Sequence, residues 1–126
     1  MHTRWLMSGS AAFLAVLGLA GTFAPAEVLA QIYGSADSAA VLLLQVAAAA
    51  YLGFAMLNWS AKGVLIGGIY ARPLAIGNFL HFVMLALLMA RLDFVTHPVV
   101  LLVLLPAALF GAWFGVVLFR PPAARP

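Results

Sequence analysis

The sequence lacks cysteine entirely, which excludes disulfides, thiol redox chemistry, thiolate metal sites and cysteine nucleophiles. Charge is almost as scarce, because Lys, Arg, Asp and Glu together make up 7% of the 126 residues. The three acids, Glu27, Asp37 and Asp93, fall outside the long apolar runs. No apolar run therefore contains a pair of carboxylates that could serve in general acid–base catalysis. The motifs GxSxG, HExxH and the P-loop are also absent. We therefore expect no enzymatic activity, no metal site and no cofactor.

What the sequence has in excess is apolar residues. They form 67% of the chain, and the mean hydropathy is +1.16. A small soluble domain buries only about 60–70% of its unfolded surface, so a chain this apolar is better solvated by lipid than by water. The six Lys and Arg residues are dispersed and do not form the clustered basic face that nucleic acid requires. The composition predicts a membrane protein whose first partner is the lipid bilayer, with no nucleic-acid partner.

Four apolar stretches are long enough to cross a bilayer, which takes roughly 20 helical residues. Strand-like alternation of apolar and polar residues is missing from them, which argues against a β-barrel. Prolines stand at the starts of the third and fourth stretches and just after the first, where they suit helix boundaries. The prediction is an all-α, integral membrane, antiparallel four-helix bundle, with residues 1–126 forming a single transmembrane domain and spans at about 5–24, 39–59, 73–90 and 98–119.

The basic residues indicate an orientation. Five of the six fall on one side of the predicted topology: Arg4, Lys62, Arg72, Arg120 and Arg125. Only Arg91 falls on the other side, together with all three acids. The positive-inside rule then predicts that both termini lie in the cytoplasm.

Two segments leave alternatives open. Residues 1–30 also resemble a secretory signal that ends in Val28-Leu29-Ala30, but an apolar run of about 20 residues favours a retained first span. The apolar link 63–70 is predicted to be an interfacial turn, with a shallow re-entrant segment as the alternative.

Polar residues inside the spans are the candidates for function, because they are costly in lipid. At 100° per residue, Tyr51 and Asn58 share one face of the second span. Asn78 and His81 share a face of the third, and Arg72 lies at the same end. These five residues are predicted to bind an anionic or amphipathic small molecule or a lipid headgroup. The alternative is that Asn58, Asn78 and His81 hydrogen-bond to one another across the helices and bind nothing.

The same region carries a family resemblance. The stretch from Asn58-Trp59-Ser60-Ala61-Lys62-Gly63 through Ile66-Gly67-Gly68-Ile69-Tyr70-Ala71-Arg72-Pro73-Leu74 to Gly77-Asn78-Phe79-Leu80-His81-Phe82 resembles a pattern in small uncharacterised bacterial four-span membrane proteins. More loosely, the whole chain resembles the DoxX-like group. The resemblance implies the four-span fold and points to the same polar residues, and it names no ligand.

The sequence accordingly predicts a bacterial inner-membrane four-helix protein that binds a small amphipathic molecule or lipid, or acts as an accessory subunit. Two alternatives remain: a small dimeric transporter or channel, and a purely structural subunit of a membrane complex. Small residues four apart in the first and fourth spans, among them Gly111 and Gly115, suit either a homodimer face or packing inside one bundle.

Overall fold

The computed structural model describes residues 3–64 and 71–120, and this part of the chain is helical without any strand. The helices are α1 (Thr3–Phe23), α2 (Pro25–Tyr33), α3 (Ser38–Ser60), α4 (Arg72–Ala90) and α5 (Leu101–Phe119), with a 3-10 turn at Pro98–Val100 before α5. The all-α fold class is confirmed. Four of the helical segments are long and apolar enough to cross a membrane, and each begins and ends within two residues of a predicted span.

Three of the sequence-based predictions concern residues that lie, wholly or in part, outside the described ones. Arg125 lies in the segment 121–126, so the structure does not place it. Most of the link 63–70 also lies outside them, because the description stops at Val64 and resumes at Ala71; the choice between an interfacial turn and a re-entrant segment therefore stays a prediction. The resemblance pattern crosses the same gap.

Local chemistry explains where the helices begin and end. The Asp37 carboxylate accepts a 2.8 Å hydrogen bond from the Ala40 N–H and so caps α3, satisfying one of the free donors at a helix start. Prolines stand at the first turns of α2 and α4, where their missing N–H is not needed. Gly34 ends α2 in the left-handed conformation, with φ of 78°, which favours glycine.

The four long helices pack as two pairs, α1 with α3 and α4 with α5. Small residues set the close approach within each pair. A Cβ at Gly18 would lie 2.7 Å from the Leu52 side chain and 3.1 Å from the Ala48 carbonyl oxygen. A Cβ at Gly115 would lie 3.0 Å from the Phe79 ring. The small residues of the first and fourth spans are thus used for packing within the chain, and a homodimer stays a prediction.

Aromatic and aliphatic side chains fill the space where the two pairs meet. Phe82 and Phe114 are fully buried and stack with ring centroids 5.9 Å apart. Phe13 of α1 reaches the same cluster, 6.2 Å from Phe82. The outward faces are apolar as well, as at Leu43, which is 69% exposed. An apolar interior with an apolar outer surface is what a helical bundle in lipid requires.

A buried amide network and an apolar cavity

The bundle has two ends, named here for what they carry. The termini end holds the start of α1 and the end of α5, and also the end of α3 and the start of α4. The α2 end holds α2, the loop before α3 and the turn between α4 and α5. The basic residues Arg4, Lys62, Arg72 and Arg120 lie at the termini end, as the antiparallel topology requires.

Asn58 and Asn78 form the centre of a polar network near the termini end. Both side chains are fully buried. The Asn58 amide donates to the Asn78 oxygen at 2.6 Å, and the Asn78 amide donates back at 2.8 Å. The second N–H of the Asn58 amide donates to the Ser10 hydroxyl oxygen at 3.0 Å. The second N–H of the Asn78 amide donates to the Leu74 carbonyl at 3.0 Å.

The network continues into α1. The Ser10 hydroxyl accepts from Asn58 and donates to the Met7 carbonyl at 3.1 Å. Three helices, α1, α3 and α4, are therefore joined by one chain of hydrogen bonds in which every amide N–H has an acceptor. Buried polar groups that are fully paired stabilise and specify a packing arrangement. Such a network needs no ligand to satisfy it.

His81 stands apart from this network. Its ring stacks on Phe54 with centroids 5.4 Å apart. The rings of Tyr51 and Phe82 form T-shaped contacts with it, with centroids 5.0 and 5.2 Å away. Its Nε2 atom is buried without a hydrogen-bond partner in the part of the chain that the structure describes. The alternative reading, in which His81 joins the two asparagines, does not match this geometry. The imidazole instead belongs to an aromatic layer about midway along α4.

Two further residues mark the rim of the termini end. Arg72 begins α4 and is exposed. The Lys62 ammonium lies 3.2 Å from the centre of the Trp59 ring, a cation–π contact. Both positions suit side chains that reach toward lipid headgroups.

A large cavity lies toward the α2 end. It is a cavity of about 620 Å³, bounded by α1, α2, α3, α4 and the start of α5. Fourteen of its seventeen lining residues are apolar, and the other three are Glu27, Gln31 and Tyr51. Along α3 it extends from Leu44 to Tyr51, about 10 Å of helix at 1.5 Å per residue. Glu27 and Gln31 are exposed on α2 and stand at its rim.

The five predicted site residues are thus divided among different surroundings. Tyr51 lines the cavity and touches His81. Asn58 and Asn78 bond to each other, and Arg72 is exposed at the termini end. Their role in binding a ligand stays a prediction.

Sequence reasoning missed two features. Ser10 was overlooked because a single hydroxyl in an apolar run carries little signal, although it falls on the same helical face as the buried Met7 and Leu14. The cavity was overlooked because its lining comes from five separate segments. The sequence signal that could have revealed the rim of the cavity is the spacing of Glu27 and Gln31. They are four residues apart in an otherwise apolar link, which places both on one helix face.

The turn at the α2 end is held by Asp93. Its carboxylate accepts from the N–H groups of Val95 and Thr96, each at 3.1 Å. Hydrogen bonds from the Thr96 side chain and backbone lower the pKa of Asp93 below its ordinary value, and the backbone of Val95 and the charge of His97 act in the same direction. The shift is that of an exposed turn and implies no catalytic role.

Comparisons with protein-family models, curated proteins and solved structures found no match to this chain. The resemblance to the DoxX-like group therefore stays a prediction, and the functional argument rests on the chain's own geometry.

Proposed function

We propose that this chain is a bacterial inner-membrane protein, with both termini in the cytoplasm, that binds a small amphipathic molecule or lipid by enclosing its apolar chain. The observation that carries the proposal is the cavity of about 620 Å³ with its predominantly apolar lining. Its volume falls within the roughly 300–1,000 Å³ that small-molecule sites occupy.

The lining of the cavity favours an apolar occupant. The cavity is partly open to the outside of the bundle, where the lining residues Val16 and Leu102 are 65% and 70% exposed, so the surrounding medium reaches it. Water is a poor occupant, because it needs two to four polar partners and the lining supplies few. An apolar chain from the surrounding bilayer needs no polar partner.

The packing supports binding over conduction. A transporter or channel needs a polar path from one side to the other. Beyond the cavity the rings of Phe82 and Phe114 are fully buried, and the buried amides of Asn58 and Asn78 are paired with each other. A purely structural role predicts that a substitution filling the cavity does not change the binding of any ligand. The experiment below measures this as the labelling of cavity residues.

The test is photo-crosslinking in phosphatidylcholine nanodiscs with a dodecyl maltoside that carries a diazirine in its chain. Peptide mass spectrometry then locates the labelled residues. The expected result is labelling of cavity residues, Leu44, Tyr51 and Leu85 among them. In Leu44→Trp the indole occupies part of the cavity, so labelling there is expected to fall to the level of lipid-facing positions.

Leu43→Trp is the matched control. Leu43 is the preceding residue of the same helix and is 69% exposed, so the same substitution adds the same ring to the lipid side. Equal labelling of the two variants, or labelling spread evenly over the outer surface in the unmodified protein, would contradict the proposal.

A further inference from the structure

We infer that the cavity selects amphiphiles with a cationic ammonium head. This inference rests on the proposed function and adds the chemistry of the headgroup to it. Its basis is the placement of charge around the cavity, where Glu27 is the single charged residue of the lining. A positive head seated at this rim, with its chain among the apolar residues, would match both parts of the site.

Glu27 does not act alone at the rim. Gln31 follows it by one helical turn on α2, and both side chains line the cavity while remaining exposed. The carboxylate and the amide oxygen are acceptors on one helix face, and an ammonium group is a donor without acceptors. An anionic head would instead meet the Glu27 charge at close range, which is unfavourable.

The one arginine of this end lies outside the cavity. Arg91 lines a separate pocket of about 410 Å³ with Tyr33, Leu88 and Leu92, and the two spaces share only Met89. Among the described residues the other Lys and Arg lie at the termini end. At the α2 end three acids, Glu27, Asp37 and Asp93, outnumber one arginine, so the local field also favours a cation.

The dimensions fit a single chain lying parallel to the helices. On α1 the lining extends from Ala12 to Gly21, about 13 Å at 1.5 Å per residue. This is close to half of the roughly 30 Å hydrocarbon thickness. A head at the α2 rim and a chain that reaches the level of Tyr51 would therefore occupy one leaflet.

The experiment uses the same photo-probe and measures its displacement by three competitors with one chain and different heads: dodecyltrimethylammonium, dodecyl maltoside and dodecane sulfonate. All three are added at trace ratios to nanodiscs of zwitterionic lipid. The ammonium compound is expected to compete about two- to fivefold better than the maltoside, the range for a partly solvated ion pair. The sulfonate is expected to compete worse than both.

Glu27→Gln is the test variant, and Asp37→Asn is its matched control. Each removes one negative charge at the α2 end, but Asp37 does not line the cavity, and asparagine keeps the capping ability of aspartate. Because Glu27 also lies in the first turn of α2, circular dichroism must show that each variant is folded. The ammonium preference is expected to vanish in Glu27→Gln and to persist in Asp37→Asn.

The outcomes separate the two proposals. If all three competitors displace the probe equally and Leu44→Trp still lowers cavity labelling to the level of lipid-facing positions, the headgroup inference is overturned and the cavity function stands. If Asp37→Asn lowers the preference as much as Glu27→Gln, the selectivity belongs to the general field of this end, and the inference is likewise overturned. If Leu44→Trp leaves labelling unchanged, the cavity function itself fails.

Discussion

The pair Asn58 and Asn78 offers a sharp energetic prediction, because each amide is the principal partner of the other. Replacing Asn78 by valine removes both interhelical bonds, worth about 0.6 kcal/mol each in a membrane. It also leaves the fully buried Asn58 with an unpaired oxygen and one unpaired N–H, at about 1–3 kcal/mol. We expect Asn78→Val to cost about 2 kcal/mol, and Asn58→Val to cost a similar amount for the same reason.

The double variant Asn58→Val/Asn78→Val is expected to behave differently. It removes both amides together, so neither is left unpaired, and Ser10 keeps its own bond to the Met7 carbonyl. Replacing both partners by apolar groups can be nearly neutral. The double variant should therefore cost only about 1 kcal/mol, well under the sum of the single effects.

Equilibrium unfolding by sodium dodecyl sulfate in mixed micelles, followed by circular dichroism, measures all three variants. Gln45→Leu is the control, because the Gln45 amide makes a single, longer bond of 3.3 Å to the Thr22 carbonyl. Its expected cost is about 0.6 kcal/mol. Single effects that add to the double effect within about 0.5 kcal/mol would refute the reasoning, since they would mean that the two amides act independently.

Three further predictions concern packing, topology and pH. Gly18→Ala should destabilise the bundle by about 1–3 kcal/mol in the same unfolding assay, because α3 leaves no space for the added carbon; Gly53→Ala, where nothing lies within 4 Å, should be neutral or stabilising. Since the chain has no native thiol, single introduced cysteines report topology. Ser35→Cys should react with an impermeant maleimide in intact cells, and Gly63→Cys should react only after permeabilisation. The reverse pattern would refute the orientation. The pKa of Asp93 is lowered from 3.8 in the folded chain, so the contribution of its carboxylate to the stability of the turn is present above pH 3.8 and is lost as the pH falls through the folded pKa. A carboxyl NMR titration should place this pKa below 3.8. A value at or above 3.8 would contradict the turn geometry.

The candidate site could be predicted only in part. Helical periodicity places Asn78 and His81 on one face, and both come from α4 in the structure. Periodicity within one helix does not say which neighbour that face meets, however. Asn78 meets Asn58 and, through it, Ser10, whereas His81, one turn further on, meets the rings of Tyr51 and Phe54. A displacement of about 4.5 Å along the helix was enough to put the two side chains in different surroundings.

The sequence alone determined the all-α class of the molecule and the bounds of its four long helices to within two residues, but it did not predict α2. Apolar runs of sufficient length, bounded by prolines, need no partner to be recognised, because the backbone must bond internally wherever lipid surrounds it. Only the tertiary structure decided how the helices pair, that Ser10 completes the amide network, and that a cavity opens beside Glu27. Helices in lipid gain little from hiding one apolar face and not another. Their arrangement therefore depends on close fits such as that of Gly18 against α3, which exist only once both surfaces are present.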